Sequence, residues 1–245
     1  MLKLLCITAH PDDEAGGFGG SLPLYRSRGI ETHLICLTPG QAATHRGNAR
    51  SDEELGSLRR AELAASCKLL NVSRWEMLDY PDGKLDRVDF YGVVGELTRR
   101  LREIRPQVIV SMGPEGAVTG HTDHSMASIF ATMAFHWAGR TNRYPEQLKD
   151  GLAAHQARKL YYGTASFTLP DRQLVCLPPA SAVIDISGFV DLKISAFRAH
   201  TTQAPLFARF ENAMRGRTEE LFHLAATNRP ARIELETDLF AGVQD

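Results

Sequence analysis

No run of about 18 apolar residues, the length a membrane-crossing helix needs, occurs anywhere in the chain. The first apolar run is also shorter than the core of a secretory signal and lacks its flanks, so the chain is expected to be soluble. Cysteine is scarce. Cys6, Cys36, Cys67 and Cys176 have no zinc-ligand spacing and fall mostly inside apolar segments, which points away from a disulfide scaffold and toward buried thiols in a reducing, cytoplasmic setting. Neither sign of charge is in excess: 28 Lys and Arg face 29 Asp and Glu, for a net charge of -1, and no basic tract is long enough to engage nucleic acid. Internal repeats, low-complexity segments and linkers are missing too, which excludes repeat architectures and leaves residues 1–245 as one domain. With 43% hydrophobic content, 245 residues can bury a substantial core, and the expected partner is a small molecule. The oligomeric state stays open, a homo-oligomer included.

What is present is an alternation of strand and helix patterns. Leu2 to Ala9, Glu31 to Thr38, Trp75 to Leu78 and Gln107 to Met112 read as strands. Gly17 to Arg28, Asp52 to Leu70, Val88 to Ile104 and His124 to Trp137 read as helices, with Ser51 an N-cap and Arg105-Pro106 a stop. Such alternation specifies an α/β fold of Rossmann type, a mostly parallel sheet flanked by helices. The second half is less regular: Lys159 to Thr164 and Ser181 to Ile186 read as strands, Val190 to His200 and Leu206 to Ala226 as helices broken near Gly216, and Ile233 to Leu239 as a final strand. Gly139 to Ala157 is polar enough to be expected as a mobile surface segment. Residues 141–245 should complete the domain begun by 1–140.

The first strand runs straight into His10-Pro11-Asp12-Asp13-Glu14, an imidazole and three carboxylates at its carboxyl end. In open α/β sheets ligands bind in the crevice beyond those ends. The strand Gln107 to Met112 likewise leads, through a short loop, to Gly120-His121-Thr122-Asp123-His124. If the two strands are neighbours, His10 and Asp13 meet His121 or His124, giving the two-imidazole, one-carboxylate set of catalytic zinc with an open fourth position. On spacing alone His121 and His124 are interchangeable as ligand. Gly17-Phe18-Gly19-Gly20 after a strand hints at dinucleotide binding, but Leu22 stands where the third glycine of the Gly-x-Gly-x-x-Gly pattern belongs, and the carboxylates would repel a pyrophosphate.

Together these residues resemble the paired signature of the LmbE/PIG-L-type zinc-dependent N-acetylglucosaminyl de-N-acetylases. Thr38-Pro39-Gly40, Arg59 with Glu62, and Tyr80-Pro81-Asp82-Gly83 extend the resemblance in matching order over the first half of the chain. It implies that His10, Asp13 and His124 hold Zn2+, or another divalent metal such as Fe2+, and that Asp12 is the general base on the metal's water. It implies too that protonated His121, kept charged by Asp123, stabilises the oxyanion, and that Arg59 and Asp82 contact an amino-sugar-like substrate. The implied activity is removal of an acetyl or similar acyl group from an N-acylated amino sugar or its conjugate, the alternative being a non-catalytic small-molecule binding protein on the same scaffold. Thr119 departs from the pattern, standing where some members carry a proton-donating Tyr. The polar loop with Gln41, Thr44, His45, Arg46 and Asn48 is expected at the rim of the site, and His200-Thr201-Thr202-Gln203 resembles a late family element.

Overall fold

Strand β1 (Lys3–Thr8) alternates Leu4 and Cys6 on one face with Leu5 and Ile7 on the other, all fully buried, so both faces need cover. The computed structural model, which describes every residue except Pro170, Asp171, Gln173, Pro230, Ala231, Ile233 and Asp245, supplies it. Strands β2 (Glu31–Cys36), β3 (Arg74–Met77), β4 (Val108–Ser111), β5 (Lys159–Thr164), β6 (Ala182–Asp185) and β7 (Glu219–Thr227) join β1 in one sheet of order β3-β2-β1-β4-β5-β7-β6. The first five strands run parallel; β7 is antiparallel to both β5 and β6. One face packs Leu4, Cys6, Leu34 and Val110 under α1 (Asp13–Phe18), α2 (Ser21–Ser27), α3 (Asp52–Leu69) and α7 (Val190–Arg198). The other packs Leu5, Ile7, Ile35 and Ile109 under α4 (Phe90–Ile104) and α5 (Thr122–Ala138).

This topology places the site. The chain leaves β1 toward β2 on one side and returns through β4 on the other, so a crevice opens beyond the carboxyl ends of β1 and β4, the point at which doubly wound sheets bind ligands. The two histidine motifs follow those two strands.

Several local expectations need correction. The single helix from Gly17 to Arg28 is two, α1 and α2, parted at Gly19-Gly20. The break has a cause: buried Glu220 accepts hydrogen bonds from the backbone N–H groups of Gly20 and Ser21, both at 2.8 Å, and pairs with Lys193 at 2.5 Å. A continuous helix would consume those amides. The helix expected over Leu206 to Ala226 ends after α8 (Phe207–Met214), and the residues beyond Gly216 form β7. Leu, Ala and Glu favour helix weakly, and pairing on both sides of β7 overrides that preference. Of the final strand expected over Ile233 to Leu239, Ile233 lies outside the described residues, and a lone bridge from Glu236 to Ala182 is what forms among the others. The Gly139 to Ala157 segment holds a short helix, α6 (Pro145–Lys149), and is fastened to the body. Fully buried Arg102 donates to the carbonyls of Ala138, Arg140, Arg143 and Tyr144 and to Gln147 Oε1 at 2.8–3.2 Å.

Candidate metal centre

Three side chains converge beyond β1 and β4. His10 Nδ1 lies 3.3 Å from His124 Nε2, His124 Nε2 lies 3.1 Å from Asp13 Oδ1, and His10 Nδ1 lies 3.5 Å from Asp13 Oδ2. Donors bound to one tetrahedral zinc at 2.0–2.2 Å stand about 3.3–3.5 Å apart, so these separations, which run to both oxygens of Asp13, are close to those of a zinc ligand set. All three residues are about 8% exposed, so they are sheltered yet reachable.

The atoms behind each imidazole fix which nitrogen faces Asp13. His10 Nε2 sits 3.1 Å from Asp82 Oδ1 and 3.2 Å from Asp123 Oδ2, so it carries the proton and Nδ1 offers its lone pair. His124 Nδ1 lies 3.2 Å from both the Gly116 carbonyl and Thr119 Oγ1, which turns its Nε2 lone pair inward in the same way. The Thr119 hydroxyl donates in turn to the Gly116 carbonyl at 3.2 Å. Thr119 is thus an orienting partner of His124. Gly116 makes this possible: at φ +88 a Cβ would strike the Gly120 and His121 backbone at 2.7 Å.

Two other groupings bring three potential donor atoms within 4.8 Å of one another among the described residues: His10 with His121 and His124, and His10 with Asp82 and Asp123. The second uses His10 Nε2, but its carboxylates are already committed. Asp82 accepts from the Ala42 N–H at 2.9 Å, and Asp123 accepts from Gly83 and Leu85 N–H at 2.7 and 3.1 Å. They are built as acceptors for His10 and hold its pKa well above the usual range, although burial alone would lower it. The same pairing, with the backbone bonds, keeps the carboxyl groups of Asp82 and Asp123 below theirs, against the opposing effect of burial.

Asp12, the residue before Asp13, has a backbone conformation rare for a residue with a side chain, φ 104 and ψ -26. Its Oδ2 pairs with Arg59 Nη2 at 3.0 Å. Burial, chiefly, pushes its pKa up to about 6; neighbouring Asp13 and Glu14 add to the rise and Arg59 opposes it. A carboxylate tuned there is ionised at neutral pH and still able to hold a proton.

Arg59 and Asp82, expected to face substrate, are turned inward instead. Arg59 is 3% exposed and donates to the Pro11 carbonyl, to the Gly40 carbonyl at 3.1 Å and to Asp12. Asp82 is 7% exposed, behind His10. Asp123 does not hold His121 through its carboxylate; only its backbone N–H meets His121, donating to Nδ1 at 3.1 Å. That bond makes Nδ1 an acceptor and puts the imidazole proton on Nε2. Burial, chiefly, lowers the His121 pKa, which favours a neutral, exposed ring over the expected imidazolium. The rim loop folds over this network through Ala42, whose amide holds Asp82, and His45, whose carbonyl accepts from Gln203 Nε2 at 3.2 Å.

Glu14 and His200 complete the cluster. Both are fully buried and joined at 2.7 Å. Glu14 is visible in the motif, but nothing in the local sequence says that His200, 186 residues later, reaches it.

Comparison with known proteins places the chain in a family. The family model of GlcNAc-PI de-N-acetylase, PIG-L, matches residues 5–135, more than half the chain and inclusive of both histidine motifs. A 1D-myo-inositol 2-acetamido-2-deoxy-alpha-D-glucopyranoside deacetylase of Nocardioides is 30% identical over 98% of this chain and 98% of its own. The N,N'-diacetylchitobiose deacetylase of Pyrococcus horikoshii, solved with an inhibitor, superposes with a TM-score of 0.74 at 25% identity, over 91% of this chain and 83% of that one. GalB, a 4-carboxy-2-hydroxymuconate hydratase from Pseudomonas, reaches the same TM-score of 0.74 at 20% identity, over 95% and 99% of the two chains, and shows the fold alone. Because one scaffold carries different reactions, the assignment rests on the family match and the residues of the site. The chain belongs to the PIG-L family of de-N-acetylases.

Proposed function

We propose that this protein is a zinc-dependent amidohydrolase that removes the acetyl group from a 2-acetamido-2-deoxyglucose unit carried on a small conjugate. The observation that carries the reading is the convergence of His10 Nδ1, Asp13 and His124 Nε2, next in the chain to Asp12, whose carboxylate pairs with Arg59. A divalent metal held there supplies Lewis acidity, lowering the pKa of water toward about 7 and polarising an amide carbonyl. The ligand set of two imidazoles and a carboxylate suits zinc and also admits Fe2+.

The chain's own residues supply the rest. Asp12 takes the proton from the attacking water on the oxygen that Arg59 leaves free, and gives it to the departing amine. No Tyr acid is then needed at position 119. His121 Nε2–H donates to the carbonyl oxygen as negative charge gathers there, a contact worth most in the transition state. Asp82 and Asp123 hold His10; Thr119 and the Gly116 carbonyl hold His124. Sugar hydroxyls and the group beyond the sugar fall to the polar rim of Gln41, Thr44, His45, Arg46 and Asn48. Substrate and product are small polar molecules, consistent with a cytoplasmic enzyme whose thiols Cys6, Cys36 and Cys67 stay buried and reduced.

The test is a screen of N-acetylglucosamine, its methyl glycoside and N,N'-diacetylchitobiose for free-amine release by zinc-loaded protein, repeated after chelation. Release that stops on chelation and returns with zinc is expected. Stoichiometric zinc with no release from any N-acylated amino sugar would favour a binding protein instead.

A further inference from the structure

Asp12 needs an anchor. A non-glycine residue at φ 104 is strained and persists only when its surroundings over-determine it. Arg59 holds the side chain and the Pro11 carbonyl, and the Asp12 carbonyl accepts the Gly16 N–H at 2.8 Å. The remaining backbone group, the Asp12 N–H, is held by Glu14, whose Oε2 accepts it at 3.0 Å.

Glu14 is 0% exposed, and a buried carboxylate without partners is costly. Its partners come from distant parts of the chain. Ser66 Oγ, on α3, donates to Oε1 at 2.5 Å, and His200 Nε2, just past α7, donates to the same oxygen at 2.7 Å. His200 is itself 0% exposed, and this is the one hydrogen bond its side chain makes among the described residues, since Nδ1 has no partner. Oε2 of Glu14 is thereby left to the Asp12 amide, and Glu14 reaches none of the candidate ligand groupings.

We propose that Glu14, locked by His200 and Ser66, is the positioning residue of the general base: it holds Asp12 in its strained backbone state so that the carboxylate faces the water. The inference rests on Asp12 being the base. Glutamine fits the space at position 14 but cannot do the work. Its amide has one accepting atom; if that faces His200 and Ser66, an NH2 group confronts the Asp12 N–H, and if it faces Asp12, His200 must carry its proton on Nδ1, which is buried and has no partner among the described residues. The second arrangement strands a buried N–H, so the first is favoured; in it Asp12 is free to relax, and a shift of about 1 Å in a reacting group can cost 100-fold in rate.

The experiment is a double-mutant cycle of Asp12→Asn and Glu14→Gln on zinc-loaded protein. It reads kcat, KM and metal content with the fastest-hydrolysed of N-acetylglucosamine, its methyl glycoside and N,N'-diacetylchitobiose. Glu14→Gln alone is expected to lower kcat about 10- to 100-fold with metal content intact and KM little changed. In the Asp12→Asn background the same change should cost less than about twofold, because the group it positions is gone. Equal loss in both backgrounds, or wild-type kcat in Glu14→Gln, overturns the inference while leaving the base reading intact. Near-normal turnover in Asp12→Asn alone, or no hydrolysis of any of the three probes by the wild type, overturns both. Should Glu14→Gln fail to fold, His200→Gln and His200→Ala decide: the Gln amide can donate near the Nε2 position and should keep most of kcat, whereas Ala should lose about tenfold or more. Equal rates in those two variants would sink the inference.

Discussion

At the scale of single residues, the site is a division of labour between nitrogen atoms of three histidines. His10 and His124 each give their outward nitrogen to oxygen acceptors and turn a lone pair toward Asp13. His121 differs because the Asp123 amide occupies its Nδ1, leaving a donor at the open edge of the cluster. Spacing alone left His121 and His124 interchangeable; their hydrogen-bond partners separate them. His121→Ala should therefore keep its full complement of zinc and lose about 100- to 1,000-fold in kcat, with a smaller change in KM. Metal analysis beside steady-state kinetics checks this. A zinc-free His121→Ala protein would make His121 a ligand, and a wild-type rate would remove it from catalysis.

At the scale of elements, the loops after the strands do the positioning, and close approach governs them. Gly40, at φ +67, lies where a Cβ would run into the Arg59 guanidinium, so its missing side chain lets α3 deliver Arg59 to Pro11 and Asp12. Gly40→Ala should displace Arg59, lower stability by about 1–3 kcal/mol and reduce turnover while zinc is retained. Thermal unfolding and kcat measured on one preparation test it; an unchanged midpoint would show that Arg59 accommodates the methyl group. The strands and helices of the first half were readable because β1 and β4 are uninterrupted apolar runs and Ser51 caps α3, its hydroxyl accepting from the Glu54 N–H at 3.1 Å. The split between α1 and α2 was not, since its cause, Glu220, lies 200 residues away. For the same reason β7 read as helix: its partners are non-local. Arg59 and Asp82 carried recognisable motif positions, but motif spacing does not tell an inward-facing side chain from a substrate-facing one.

At the scale of the whole molecule, the second half of the chain closes the site from behind. Glu62 on α3 accepts hydrogen bonds from the Thr201 and Thr202 hydroxyls and the Thr202 amide, each at 2.7 Å, which clamps the segment after α7 against the first half. That clamp sets His200 on Glu14 and so reaches Asp12. The candidate metal ligands, the proposed base and its proposed anchor thus sit around one crevice at the switch between β1 and β4. The central claim is that His10, Asp13 and His124 are the metal centre. Anomalous diffraction at the zinc absorption edge from zinc-loaded crystals tests it most directly. A single peak about 2.0–2.2 Å from His10 Nδ1, Asp13 and His124 Nε2 is predicted. A peak between His10 Nε2, Asp82 and Asp123, or one bonded to His121 with Asp13 remote, would contradict it.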